Sequence, residues 1–145
     1  MKRKITLLFS LMLCLSINLS AQAPVPNGNM ENWADSITCQ NWTTNNYNIG
    51  GFIYYSFVHQ STDAHGGTYA AEIKTINIPV LGNMSGIMTL GSYNLLTGIS
   101  GGIPISGKPV TLEGYLKYAP INNDTMAIIV VMTKWNGGSR DTLVL

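Results

Sequence analysis

Four residues in the C-terminal third have the types that hold a flat, hydroxylated ligand: Glu113, Tyr115, Lys117 and Trp135. A sugar ring needs an aromatic plane against its C–H face and carboxylate, amide or cationic groups for its hydroxyls. In GKPVTLEGYLKYAP, residues 107–120, strict alternation sets Leu112, Gly114, Leu116 and Tyr118 on one side of an extended chain. Thr111, Glu113, Tyr115 and Lys117 fall on the other, so the ring lies between an acid and a base. Trp135 sits between Lys134 and Asn136 at the lip of a Gly-rich turn, where a ring is commonly exposed. Two readings follow. In one, Tyr115 and Trp135 stack on sugars while Glu113 and Lys117 bind hydroxyls. In the other, the face is ordinary solvated sheet, with charges pairing across strands, Tyr115 supplying β-propensity and Trp135 covering the core.

Catalytic chemistry is less well served. Glycoside hydrolysis needs two carboxyl groups ~5 Å apart or somewhat farther, with one pKa raised. Glu72 and Glu113 are the only glutamates within expected strands, and each is accompanied by a lysine, which favours ionised, unperturbed groups. The stretch STDAH at 61–65 holds the residue types of a hydrolytic triad, but one short loop cannot spread them across a fold. No nucleophile elbow, HExxH pair or phosphate-binding loop occurs. Cys39, His59 and His65 lack the spacing of zinc ligands. The expectation is a protein that is not an enzyme, with no cofactor and no metal.

The elements that would position these residues begin after a leader. Lys2, Arg3 and Lys4 precede an apolar run from Ile5 to Leu19, and small residues follow in SAQA. This reads as a secretory signal peptide over 1–21, cut after Ala21, leaving 22–145 as one exported domain. The run is shorter than the ~20 residues of a spanning helix, so no membrane span is expected after cleavage. The remainder carries five cations against seven acids and no basic stripe, which removes electrostatic support for nucleic-acid binding. Cys39, its lone cysteine, reads as a small buried hydrophobe. Trp33 and Trp42 read as anchors for the N-terminal segment, and Tyr54 and Tyr55 as pointing to opposite faces of one strand.

Sustained helical periodicity is absent, so the chain reads as all-β. Strands are expected over 51–59, 68–75, 86–90, 110–118, 125–135 and from 140, separated by turns at 65–67, 82–86, 98–104, 122–124 and 135–141. TYAAEIKT predicts a half-buried strand with Glu72 and Lys74 on its wet face. AIIVVM at 127–132 predicts a strand covered on both faces, returning antiparallel through Arg140. The architecture expected is a jelly-roll-like antiparallel β-sandwich. Because DTLVL stops within an apparent strand, further strands are expected beyond it, or a partner strand over the edge.

VPNGNMENW, QNWTTNN, TDAHGGTYAAEIKT, GGIPISGKPVTLEGYLKYAP and NDTMAIIVVMTKWN occur in an order that resembles the carbohydrate metabolism domain (PCMD) of secreted Bacteroidota proteins. That resemblance runs from Pro26 onward. It implies a jelly roll related in shape to carbohydrate-binding modules, a glycan or polysaccharide partner, and a secreted or cell-surface location. It also implies further strands and often a sorting domain downstream. An N-terminal acid such as Glu31 can pair with a late aspartate around a structural calcium in such modules; as a plain sequence feature it reads as a turn or cap residue. The function implied is non-catalytic glycan binding, possessed by a module of a polysaccharide-utilising surface protein. The alternative is a structural or adhesion module with no glycan site.

Overall fold

The computed structural model describes residues 25–106, 109 and 111–143, and the leader expected over 1–21 lies outside them. All regular structure among the described residues is β. The strands are β1 (Trp33–Asp35), β2 (Thr38–Cys39), β3 (Thr43–Thr44), β4 (Tyr47–Ile49), β5 (Ile53–Tyr55), β6 (Val58–Ser61) and β7 (Ala70–Ile73). They continue as β8 (Ile76–Ile78), β9 (Gly82–Met84), β10 (Met88–Thr89), β11 (Ser92–Asn94), β12 (Gly98–Ser100), β13 (Met132–Trp135) and β14 (Arg140–Leu143). Every ladder is antiparallel. Six join consecutive strands as hairpins, and one is long-range, setting Thr43 and Thr44 of β3 against Thr89 and Met88 of β10. This is the all-β, antiparallel class that the turn spacing predicts. No described helix is long and apolar enough to cross a membrane.

The chain divides into two compact units, one ending at Gly107 and one beginning at Lys108. The first holds a small core of Phe57, Val58 and Ile78, with Trp33, Tyr55, Ile76, Met84 and Met88 packed on it. Asparagine side chains tie its short strands together by imitating backbone. Asn46 Nδ2 donates to the carbonyls of Ile37 (3.0 Å) and Val58 (2.7 Å), while its Oδ1 accepts from the N–H groups of Phe57 (2.8 Å) and Val58 (2.9 Å). Asn45, buried, donates to Ser85 O (2.9 Å) and accepts from Ile87 N (2.8 Å). One amide thus satisfies backbone groups that no ladder reaches.

Both tryptophan anchors behave as expected. Trp33 packs on the core and donates Nε1–H to Met30 O at 2.6 Å, and Trp42 donates to Pro26 O at 3.1 Å. Tyr55 packs on the core while Tyr54 faces solvent. The expected strand over 51–59 is broken at Ser56–Phe57 into β5 and β6. Ile73, assigned to a buried face, is half exposed.

The second unit departs further from expectation. The segment 111–118 carries no strand, and 125–135 forms one only from Met132. Ile128, Ile129, Val130 and Val131, expected at a sheet centre, lie exposed, Ile129 by 80%. Alternation and apolarity permit a strand, but a ladder forms only where a neighbour takes the backbone N–H and C=O groups. The turn between these segments is formed as expected: Asn122 and Asn123 have φ of 52° and 62°, and Asp124 N donates to Ile121 O at 3.1 Å. Two consecutive left-handed asparagines are the chemistry of a tight hairpin turn.

Candidate functional site

The hairpin of β13 and β14 gives the clearest constellation. Its register sets Trp135 opposite Arg140 and Thr133 opposite Thr142, with Lys134 opposite Asp141 and Met132 opposite Leu143. Paired residues of an antiparallel ladder share a face, and so do residues two apart. Trp135, Arg140, Thr133 and Thr142 therefore occupy one face, and Lys134, Asp141, Met132 and Leu143 the other. The Trp135 side is open to solvent, the residue itself 60% exposed. Arg140 Nη1 donates to Thr133 Oγ1 at 3.3 Å, which takes the guanidinium diagonally across the ladder to β13.

The turn is held by Asn136. Its backbone N–H donates to Ser139 O at 3.1 Å, and its Oδ1 accepts from the N–H groups of Gly138 (3.1 Å) and Ser139 (2.8 Å). Its Nδ2 donates to both oxygens of Asp141 at 3.0 Å. Gly137, at φ 96°, takes the conformation that side-chain-bearing residues avoid. The turn thus fixes the lip on which Trp135 stands.

Glu113, Tyr115 and Lys117 are all exposed, Tyr115 by 79%. They lie outside any strand, so the alternation that placed them on one face has no ladder to enforce it. Trp135 keeps the position expected at the hairpin lip. Sequence reasoning did not single out Arg140 or Thr133; the WNGGSRD turn, taken with a four-residue loop, would have paired position 135 with 140 and found them.

Glu72 and Glu31 of the first unit are engaged in structural contacts. His59 and Glu72 are register partners on β6 and β7, with Nε2 2.8 Å from Oε2, and Lys74 Nζ lies 2.9 Å from Oε1. The hydrogen bond from Lys74 is the main cause holding the Glu72 carboxyl below the usual glutamate range, with charge from Lys74 and His59 adding. The sequence reading of an unperturbed group is thereby corrected, and an ionised Glu72 is suited to pairing, the reverse of a proton donor. Glu31 accepts from the backbone N–H groups of Thr68 and Tyr69, a long-range loop contact where a local turn or cap was expected. In the 61–65 loop, Asp63 N donates to Ser61 Oγ at 3.1 Å, a local turn bond. Cys39 is 2% exposed, and burial pushes its thiol pKa up. Among the described residues no group of three His, Cys, Asp or Glu is placed to hold a metal ion.

Compared with family models, curated proteins and solved structures, the chain matches none of them.

Proposed function

We propose that this chain is an exported, non-catalytic glycan-binding module of jelly-roll type, acting at the cell surface or outside the cell. The observation that supports it best is the open face of the β13–β14 hairpin, where Trp135 stands across from Arg140 with the Thr133 and Thr142 hydroxyls alongside. An exposed indole offers a stacking plane, and a guanidinium offers several donors in fixed geometry to ring hydroxyls. Tyr115, with Glu113 and Lys117, supplies a second exposed set of the same chemistry in the same unit. The order of sequence motifs, which resembles that of the carbohydrate metabolism domain of Bacteroidota, supports the same ligand class.

Titration with neutral oligosaccharides, followed by tryptophan fluorescence, tests the reading. Saturable quenching or a blue shift is expected, lost in Trp135→Phe and weakened in Arg140→Ala. An emission spectrum unmoved by any oligosaccharide would refute it. The exposed run Ile128–Val131 favours a second reading, a structural or adhesion module whose apolar segment pairs with another strand. In that case the fluorescence stays silent while an added strand protects 128–131 from hydrogen exchange.

A further inference from the structure

Three hairpins of the first unit carry exposed apolar residues at their tips, and two of them, β4–β5 and β8–β9, follow from the same end of one ladder. The β6–β7 ladder runs from Ser61 opposite Ala70 to Val58 opposite Ile73, and Lys74 N extends it by donating to Phe57 O at 2.8 Å. From that end β5 runs back from Tyr55 to Ile53, and β8 runs forward from Ile76 to Ile78. Both therefore depart from the same end of the ladder. Their bases are fastened together by Asn45, bonded to Ser85 and Ile87, and Tyr55, Ile76 and Met84 all pack on the Phe57–Val58–Ile78 core. The β4–β5 loop then presents Phe52, 96% exposed, and the β8–β9 loop presents Val80 and Leu81, fully and mostly exposed.

Three properties of these tips narrow what they contact. First, residues 45–58 and 75–106 contain no Asp, Glu, Lys, Arg or His. Second, three tip donors are satisfied internally: Phe52 N donates to Ile49 O (3.1 Å), Gly51 N to Asn48 Oδ1 (2.8 Å) and Leu81 N to Ile78 O (3.1 Å). Those three groups need no water partner in a poorly hydrated medium. Third, Val80 has φ of 75° directly after Pro79, in a turn position that ordinarily takes glycine. A β-branched residue there is strained, and its side chain is held wholly in solvent. Neither local conformation nor packing within the fold accounts for valine at that point.

We propose that these paired tips insert into the interface of a lipid bilayer, seating Phe52, Val80 and Leu81 at the boundary of headgroups and acyl chains. A second β-sheet would cover one face of a hairpin, but β4–β5 exposes Ile49 and Ile53 on one face and Tyr54 on the other, with Phe52 at its end. A bilayer surrounds a tip on every side. Tyr47 and Tyr54, on the flanks, have the amphipathic rings favoured at headgroup depth. The absence of cations on both hairpins selects zwitterionic over anionic lipid, with little dependence on salt.

Flotation of the chain from Gln22 with phosphatidylcholine vesicles tests this. The protein is expected to float with vesicles, equally at low salt and in about 0.5 M salt. Phe52→Ser combined with Leu81→Ser is expected to weaken association about tenfold or more, while Leu96→Ser, on the exposed tip of β11–β12, leaves it unchanged. Failure of the parent chain to float overturns the proposal, as does an undiminished double variant or an equal loss in Leu96→Ser. A concentration-dependent dimer in lipid-free buffer, abolished by the double variant, would assign the tips to a second copy and also overturn it. Phe52→Trp provides an independent reading should the double variant misfold: its added emission must shift to the blue with vesicles, and an unshifted spectrum contradicts insertion.

Discussion

The carboxylate of Glu31 closes a loop 37 residues away: Oε1 accepts from the backbone N–H of Thr68 at 2.9 Å and of Tyr69 at 3.1 Å. Gly67, at φ 77°, lets the loop come close, since a Cβ there would collide with the same oxygen. Glu31→Ala leaves two donors without their charged acceptor and is expected to cost about 1–3 kcal/mol, with Glu31→Gln costing less. Gly67→Ala is expected to be at least as harmful, because it adds left-handed strain to the collision. Urea midpoints of the three variants check the order.

Asn46 should be the most sensitive polar residue of the first unit. Its single amide makes four hydrogen bonds, to Ile37, Phe57 and Val58. Removing it next to the fully buried Val58 leaves backbone groups that water cannot easily reach. Asn46→Ala is expected to lose about 3 kcal/mol, well beyond a typical surface change. Equilibrium denaturation measures it, and a loss below about 1 kcal/mol would mean that those backbone groups find other partners.

Acid should weaken the β6–β7 ladder in a defined direction. The Glu72 carboxyl is held below its ordinary value of 4.5, chiefly by the Lys74 hydrogen bond. A group with a lowered folded pKa stabilises fully above its unfolded value, and that contribution fades as pH falls through the folded value. Solvent screening at this half-exposed pair keeps the effect modest. Melting temperature is therefore expected to fall below about pH 4.5, and Glu72→Gln to flatten the fall without abolishing it, since the Asp35 carboxyl is lowered too, first by the Ile37 N–H. High salt should also flatten it.

Cys39 should be chemically silent in the folded chain. It is buried beside Met30 Sδ and accepts from Asn27 Nδ2 at 3.2 Å, and the net effect of burial keeps the thiol protonated at neutral pH. Alkylation by iodoacetamide is expected to be slower than in denaturant by on the order of a hundredfold. Comparable rates would place the thiol at the surface.

Local chemistry was readable wherever a residue's role depends on its immediate neighbours. Turns at 122–124 and 136–139, the tryptophan anchors and the buried Cys39 all follow from residue type and position. Pairing was harder, because it is a property of two segments. GKPVTLEGYLKYAP has a strand's alternation without a ladder, whereas TT at 43–44 has little pattern of its own but gains one from Met88 and Thr89. Loop length mattered as well: stretches taken as turns at 82–86 and 98–104 supply β9 and β12, because three-residue loops leave room for short strands. The candidate site divided along the same line. Trp135 was found through its hairpin, but its partner Arg140 became visible only with the register.

A glycan array probed with the chain from Gln22, beside Trp135→Ala and Tyr115→Ala, tests the central claim most directly. Specific binding is expected for the parent chain, reduced about tenfold or more by Trp135→Ala while the β6–β7 ladder keeps its hydrogen-exchange protection. Binding that survives Trp135→Ala but is lost in Tyr115→Ala would move the site to the 111–118 segment. Silence of the parent chain across the array would contradict glycan binding altogether.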